Sequence, residues 1–342
     1  MGETDAITAD QAVLPEPRGP LSDAVVTALL EEPSDGPWPL AAARAADPLG
    51  DDAQLALHVC YELHYRGFAA VSPEWEWNPE LLRLRSVLEK GFEHELRSAV
   101  DGGDDLAGVL DALLVEPVDG AGVSHHLRDT GEWWQLREYL AHRSIYHLKE
   151  ADPQAWVIPR LQGRAKAALV AVEFDEFGGG RGEDMHSRLF ADLLEAADLS
   201  SRYLHYLDQV TVHVPAAVNL MSMFGLHRRL RGALVGHFAA AEITTAPSAQ
   251  RMTKALARLG AGEACTRFFT EHIEADAVHE QVMRRDVLGD LLAREPELTA
   301  DVVFGIQATE LLEQRLADHL LGAWTAGRSS LRQPLPESSG PA

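Results

Sequence analysis

Residues 268–283 read FFTEHIEADAVHEQVM, and within them His272, Asp276 and His279 decide how the chain is understood. A helix turns about 100° per residue, so offsets of four and seven return these three side chains to within roughly 40° of one stripe. Two imidazoles and a carboxylate then face the same way. Phe268, Phe269, Ala275 and Val278 surround them and draw the stripe inward. A carboxylate left unpaired among apolar neighbours is costly, and a metal cation is the simplest group that neutralises it while using both histidines. With 15 His and 53 acidic residues in 342, such a string arises by chance about once in ten chains. A solvated polar face therefore stays open until further ligands are found.

The chain is long enough to bury a substantial core, and 46% hydrophobic residues with 7% aromatics is the composition of a soluble helical protein. A formal charge of −23 excludes nucleic acid and anionic membrane surfaces as expected partners, because both would be repelled. Cys60 and Cys265 are the two cysteines, in no zinc or disulfide spacing, which suits a reducing cytoplasm. The first twenty residues have neither a basic nor an apolar run, and no stretch approaches 18 uninterrupted apolar residues, so no export signal, anchor or span is expected. The expected location is cytoplasmic.

Residues 1–20 and 327–342 are polar, proline-bearing and aperiodic, and are expected to be disordered tails. Between them, 21–326 reads as one helical domain. Three-and-four spacing predicts helices at 21–32, 51–65, 79–100, 106–115, 132–150, 156–177, 183–197, 200–208, 216–224, 227–243, 248–259, 264–293 and 296–326. Gln209–Val214 is the best candidate strand. The fold class is all-α, a bundle of helices with short connections.

More chelating groups flank the glycine run Gly178–Gly182. Glu173 and Glu176 share a face of the incoming helix, and Glu183 and His186 do the same on the outgoing one. A glycine hinge lets two helical ends converge. It is not a phosphate loop, since no Gly-Lys-Ser/Thr follows and no strand precedes. One helix earlier, Glu150 closes an aromatic run beside His147, an acid at the end of a helix where the dipole disfavours it.

Glu150 followed by ADPQAWVIPRLQG, then DEFGGGRGEDMH, then HIEADAVHEQ, resembles the haem-oxygenase-like di-iron oxidases and oxygenases, the iron-containing redox enzymes. The resemblance runs from about Tyr61 to Trp324. It implies a haem-oxygenase-like bundle of about seven core helices with additional N-terminal ones. It implies that Glu150, Glu176, His186, His272, Asp276 and His279 hold two irons, with Glu183 a further carboxylate that either joins the second iron or stays on the surface. Three carboxylates and three neutral imidazoles against two Fe(II) leave one net positive charge, chemically reasonable for a partly buried cluster. The implied activity is O2-dependent oxidation of a small organic substrate, by N-oxygenation, desaturation or oxidative C–C cleavage, in bacterial specialised metabolism. A homodimer is one assembly left open.

Rival readings use the same residues. A ferritin-like site takes two Glu-x-x-His pairs and two single glutamates, and Glu183/His186 with Asp276/His279, Glu150 and Glu176 approximate that, but His272 is left over. A mononuclear iron site needs only the His272 helix and leaves Glu150, Glu176 and His186 unexplained. A non-enzymatic iron binder or scaffold is the alternative of a different class. Cys60 has no acid or His partner fixed by sequence and reads as a structural thiol, while the basic run His227 to Arg231 is either a solvated face or a seat for a substrate carboxylate.

Overall fold

In the computed structural model, residues 11–115, 120–337 and 340 are described, and the side chains of residues 274, 276 and 277 lie outside that description. The helices are α1 (Pro20–Leu29), α2 (Leu40–Ala45), α3 (Asp51–Glu62), α4 (Pro79–Ala99), α5 (Leu106–Leu114), α6 (Val123–Asp129), α7 (Trp133–His147), α8 (Asp152–Ala155), α9 (Gly163–Glu176), α10 (His186–Ala196), α11 (His213–Leu226), α12 (Arg231–Leu259), α13 (Glu263–Val282), α14 (Gly289–Arg294) and α15 (Thr299–Thr325). The fold is all-α, and among the described residues there is no strand and no helix long and apolar enough to cross a membrane.

Local sequence explains most boundaries. Asn78 caps α4 by accepting from the backbone N–H of Glu80 and Leu81, with Pro79 at the first helical position. Gly260, at φ 79°, ends α12 in the left-handed cap that glycine adopts without strain. The centre of the bundle is α12, which packs on α15, α13 and α6. Its approach to α15 is backbone to backbone. A Cβ added to Gly236 would lie 2.1 Å from the Val302 carbonyl oxygen, and one added to Gly305 would lie 2.0 Å from that of Ala233. Only glycine permits that contact.

Several expectations are corrected. The helix expected at 200–208 is a series of turns, because Asp198 and Leu204 both take positive φ. The helix expected from Trp156 starts only at Gly163, after a 3-10 turn at Ile158–Arg160 enforced by Pro159 and a left-handed Gly163. That expected at 183–197 begins at His186, with Glu183 in the preceding 3-10 turn. Segments 227–243 and 248–259 are joined in α12 straight through Pro247, where packing on three neighbours outweighs the lost hydrogen bond. The 264–293 helix contains a π-helical turn, Met283–Leu288. Gln209–Val214 is not a strand.

Particular residues in the described parts of both expected tails contact the body. Arg18 donates to Asp51 Oδ1 and to the carbonyls of Leu207 and Val210, and Ala12 is buried with its carbonyl accepting from Ala69 N. At the other end, Ser330 donates to the buried Glu138 carboxylate through both its N–H (2.8 Å) and its Oγ (2.7 Å), and Ser329 Oγ donates to it as well. Buried charges in the body need these partners, and the polar composition of the tails does not reveal it. Residues 1–10, 338, 339, 341 and 342 lie outside the described residues.

Candidate metal centre

The glycine run performs the predicted convergence. Gly178, Gly179 and Gly180 all have φ between 62° and 84°, and a Cβ on Gly178 would lie 2.6 Å from the backbone at Asp184 and Met185. The tight turn brings the last residue of α9, Glu176, against the first of α10, His186, with His186 Nδ1 2.8 Å from Glu176 Oε2. Asp184 fastens the same turn to α13 by accepting from Arg267 at 2.7 Å.

Two buried groups of donors result, each with its ligand atoms within 4.8 Å of one another. The first is Glu150, His186 and His272. The second is Glu176, Glu242 and His279. His272 Nδ1 lies 2.7 Å from the Phe268 carbonyl oxygen, which accepts its N–H and leaves Nε2 toward Glu150 Oε1 at 3.8 Å. His279 Nδ1 stands 3.1 Å from Glu242 Oε2 and 3.6 Å from Glu176 Oε1, while its Nε2 is 3.2 Å from Asp175 Oδ2. Glu176 thus turns one oxygen to each group, Oε2 to His186 and Oε1 to His279. That is the posture of a carboxylate able to bridge two ions.

The donor set fits iron on the chain's own evidence. Glu150 Oε2 is buried without a hydrogen-bond partner, and an orphaned polar atom at that depth needs a further group. Burial raises the Glu150 pKa, but His147 Nδ1 at 2.7 Å and His272 more than offset it, and the carboxyl stays well below the usual range. Burial lowers the His186 pKa, and Glu176 reverses the shift to a net rise. Glu150 is held by residues behind it as well. Its neighbour Lys149 is buried and paired with Glu62, which also accepts from Tyr203 OH at 2.6 Å.

Of the sequence candidates, Glu150, Glu176, His186, His272 and His279 come together, and the side chain of Asp276 lies outside the described residues. Glu183 is exposed and belongs to neither group. Glu242 is the residue that sequence reasoning left without a role. It sits on α12, two helices away from the glycine turn, and an acid inside the apolar run LVGHFAAAE was its only signal. The basic run stays away from the centre: His227 is 2.9 Å from Glu89, Arg229 pairs with Glu93, and Arg231 pairs with Glu295. Cys60 is buried and its thiol pKa is pushed up to about 12 by that burial, so it is chemically inert at neutral pH.

A cavity of about 170 Å³ opens on the donor groups, lined by Glu150, Glu176, Glu242 and His272 and by Met221, Phe238 and Phe269. Residues 137–314 match the model of the iron-containing redox enzyme family. The chain belongs to that family.

As an iron-containing redox enzyme, the chain is an oxidoreductase of haem-oxygenase-like fold. It is 26% identical to the nitrosourea synthase of Streptomyces achromogenes subsp. streptozoticus over 239 residues, 67% of this chain and 50% of that protein, so it spans about half the length of that relative. It is 23% identical over 289 residues to a protein named NH(3)-dependent NAD(+) synthetase from Shewanella sediminis (strain HAW-EB3), covering 78% of this chain and 94% of that one.

Proposed function

We propose that this iron-containing redox enzyme is an O2-dependent di-iron oxygenase that oxidises a nitrogen of a small organic substrate. The observation that carries the reading is the posture of Glu176, with one oxygen toward each of two buried donor groups. Glu150, His186 and His272 would hold one ion, and Glu176, His279 and Asp276 the other, with Glu242 also within reach of the second. Iron bound there supplies electrons to O2, which a protein side chain cannot do. Inserting one oxygen atom into an N–H bond and reducing the other to water consumes two further electrons and two protons, so an external reductant is required. Nitrogen is favoured over carbon because the name nitrosourea synthase implies nitrogen oxidation in that relative.

The protein's part is positional. Tyr146, Phe238, Phe268 and Phe269 wall the cavity beside the donors and limit water, and the carboxylates would hold the ions in place. The test is anaerobic loading of metal-free protein with Fe(II), with metal counted per chain, followed by mixing with O2 and a panel of amines. About two irons, O2 uptake and an N-oxygenated product, all lost in Asp276→Ala, are expected. One iron or none overturns the di-iron reading, and iron oxidation with no organic product in any mixture favours an iron-binding role.

A further inference from the structure

Tyr146 on α7 lines the metal-facing cavity with Glu150 and Glu176, and its hydroxyl ends a hydrogen-bond chain that runs through α8, α12 and α15. The chain fixes every proton along it. His237 on α12 is held neutral by burial, with a pKa of about 4, so its ring carries a single proton. Thr309 Oγ1 gives its own proton to the Gly305 carbonyl at 2.7 Å and therefore accepts from His237 Nδ1 at 2.9 Å. His237 Nε2 is then a bare acceptor. It takes one hydrogen of the buried Gln154 amide at 3.1 Å, and the other goes to the Tyr146 oxygen, also at 3.1 Å. The reversed amide is excluded, because its carbonyl would face a ring nitrogen that has no proton to give.

A second donor reaches the same oxygen. Ala151 takes φ 71°, a left-handed conformation that is strained for a residue with a Cβ, and its backbone N–H donates to the Tyr146 hydroxyl. The strain thus sits one residue after Glu150 and serves the phenol. With two donors on its oxygen, Tyr146 has its proton left over, and no acceptor for it occurs among the described residues. Burial, with Glu150 and Glu176 nearby, pushes the phenol pKa far up from 10, so the proton stays on the oxygen. Arg143, Thr244 and Thr245, which also line the cavity, are spent elsewhere. Arg143 forks onto Glu313 at 2.8 and 2.5 Å, and the two threonines donate to the carbonyls of Ala240 and Ala241 in their own helix.

We propose that Tyr146 is a catalytic residue, a fixed hydrogen-bond donor to O2 as it takes up electrons beside the donor groups, and that Gln154 is the residue that positions it. This rests on the proposed function, because the hydroxyl needs O2 reduced within its reach. Negative charge grows on oxygen as electrons arrive, and a donor already aimed at that charge stabilises it without reorganising. A phenol suits the place. It keeps its proton and brings no positive charge to compete with iron for Glu150 and Glu176. Its support is rigid as well, since Thr309 and His237 stand on the two helices held together at Gly236 and Gly305.

The experiment uses Fe(II)-loaded protein without O2, treated with nitric oxide, which binds ferrous iron in place of O2. The N–O stretch is read by infrared absorption in H2O and in D2O, and iron is counted per chain, for wild type, Y146F and Q154L. Y146F removes one oxygen atom and keeps the ring, so its iron count should equal that of wild type. Wild type should show a lower stretch than Y146F and a shift in D2O that Y146F loses. Q154L should keep the D2O shift but split or broaden the band, as the hydroxyl takes more than one direction. A stretch and D2O response identical in wild type and Y146F, at equal iron count, overturns the role of Tyr146 and leaves the di-iron reading standing. A Q154L band as sharp as that of wild type and at the same frequency overturns the positioning by Gln154. One iron per chain with the Tyr146-dependent shift present overturns the di-iron reading alone, and no iron in wild type overturns both.

Discussion

Replacing Glu173 by Gln should stabilise the metal-free protein at neutral pH and change nothing near pH 4.5. Glu173 lies on α9 one turn before Glu176, is 2% exposed, and has no hydrogen-bond partner for either carboxylate oxygen. Burial, reinforced by Glu176, Glu242 and Asp152, pushes its pKa up from 4.5 to about 9. The unfolded chain gives up this proton near pH 4.5 and the folded chain keeps it to about pH 9. Across that window the folded state binds more protons, so its stability falls as pH rises. At 1.36 kcal/mol per unit, the cost between pH 4.5 and pH 7 is about 3 kcal/mol, which Gln, with no proton to retain, avoids. With an unfolding entropy of about 2.1 cal/mol/K per residue, that corresponds to roughly 4 °C in Tm for a chain of this length. Scanning calorimetry in EDTA at pH 4.5, 6, 7 and 8 should show the gap between E173Q and wild type widening with pH. A gap that does not change with pH, or a variant less stable at pH 7, refutes the reasoning. Bound iron should narrow the gap, because its charge offsets the acids that hold the Glu173 proton.

Asp175→Asn should weaken Fe(II) binding about tenfold or more with little effect on melting of the metal-free protein, since Asp175 faces His279 Nε2 from outside the donor groups; equal affinity by competition with a chelating dye counts against that role. Glu242→Ala should lower iron affinity and Glu183→Ala should not, which metal analysis after dialysis distinguishes directly. Deleting residues 327–342 should cost about 3 kcal/mol or more in chemical denaturation, because the buried Glu138 carboxylate keeps the Trp324 indole donor and loses those of Ser329 and Ser330. Gly305→Ala should destabilise by at least about 2 kcal/mol, as the new methyl meets the Ala233 carbonyl, and a melt unchanged from wild type would contradict the packing described.

Much of the centre was legible because its signals are local. His272 and His279 advertise themselves by spacing on one helix, and Glu176 with His186 by their distance across three glycines whose conformations leave the chain little choice. Glu242 was not legible. It reaches His279 only through the packing of α12 on α13, and nothing in its own neighbourhood distinguishes a ligand-facing acid from a buried structural one such as Glu138. Arg143 and Glu313 are separated by 170 residues, so their pairing is likewise a fact of tertiary structure. Boundaries failed where short-range rules compete. Pro247 should end a helix and does not, and Leu204 takes a left-handed conformation that its type gives no reason to expect. The contacts that Arg18 and Ser330 make with the body are likewise facts of tertiary structure, invisible to composition.

The contact of Gly236 with Val302 and of Gly305 with Ala233 has a consequence for how the cavity can diversify. His237 and Glu242 follow Gly236 along α12, and Thr309 and Glu313 follow Gly305 along α15, so the two glycines work as a fulcrum from which both walls project. Their separation is fixed by main chain, which no ordinary substitution can thin further. Helix spacing is therefore closed to gradual adjustment, and any shift in the size of accepted ligands has to come from exchanging lining side chains such as Met221, Phe238 and Phe269. Libraries aimed at new substrates belong at those three positions, with the two glycines left alone.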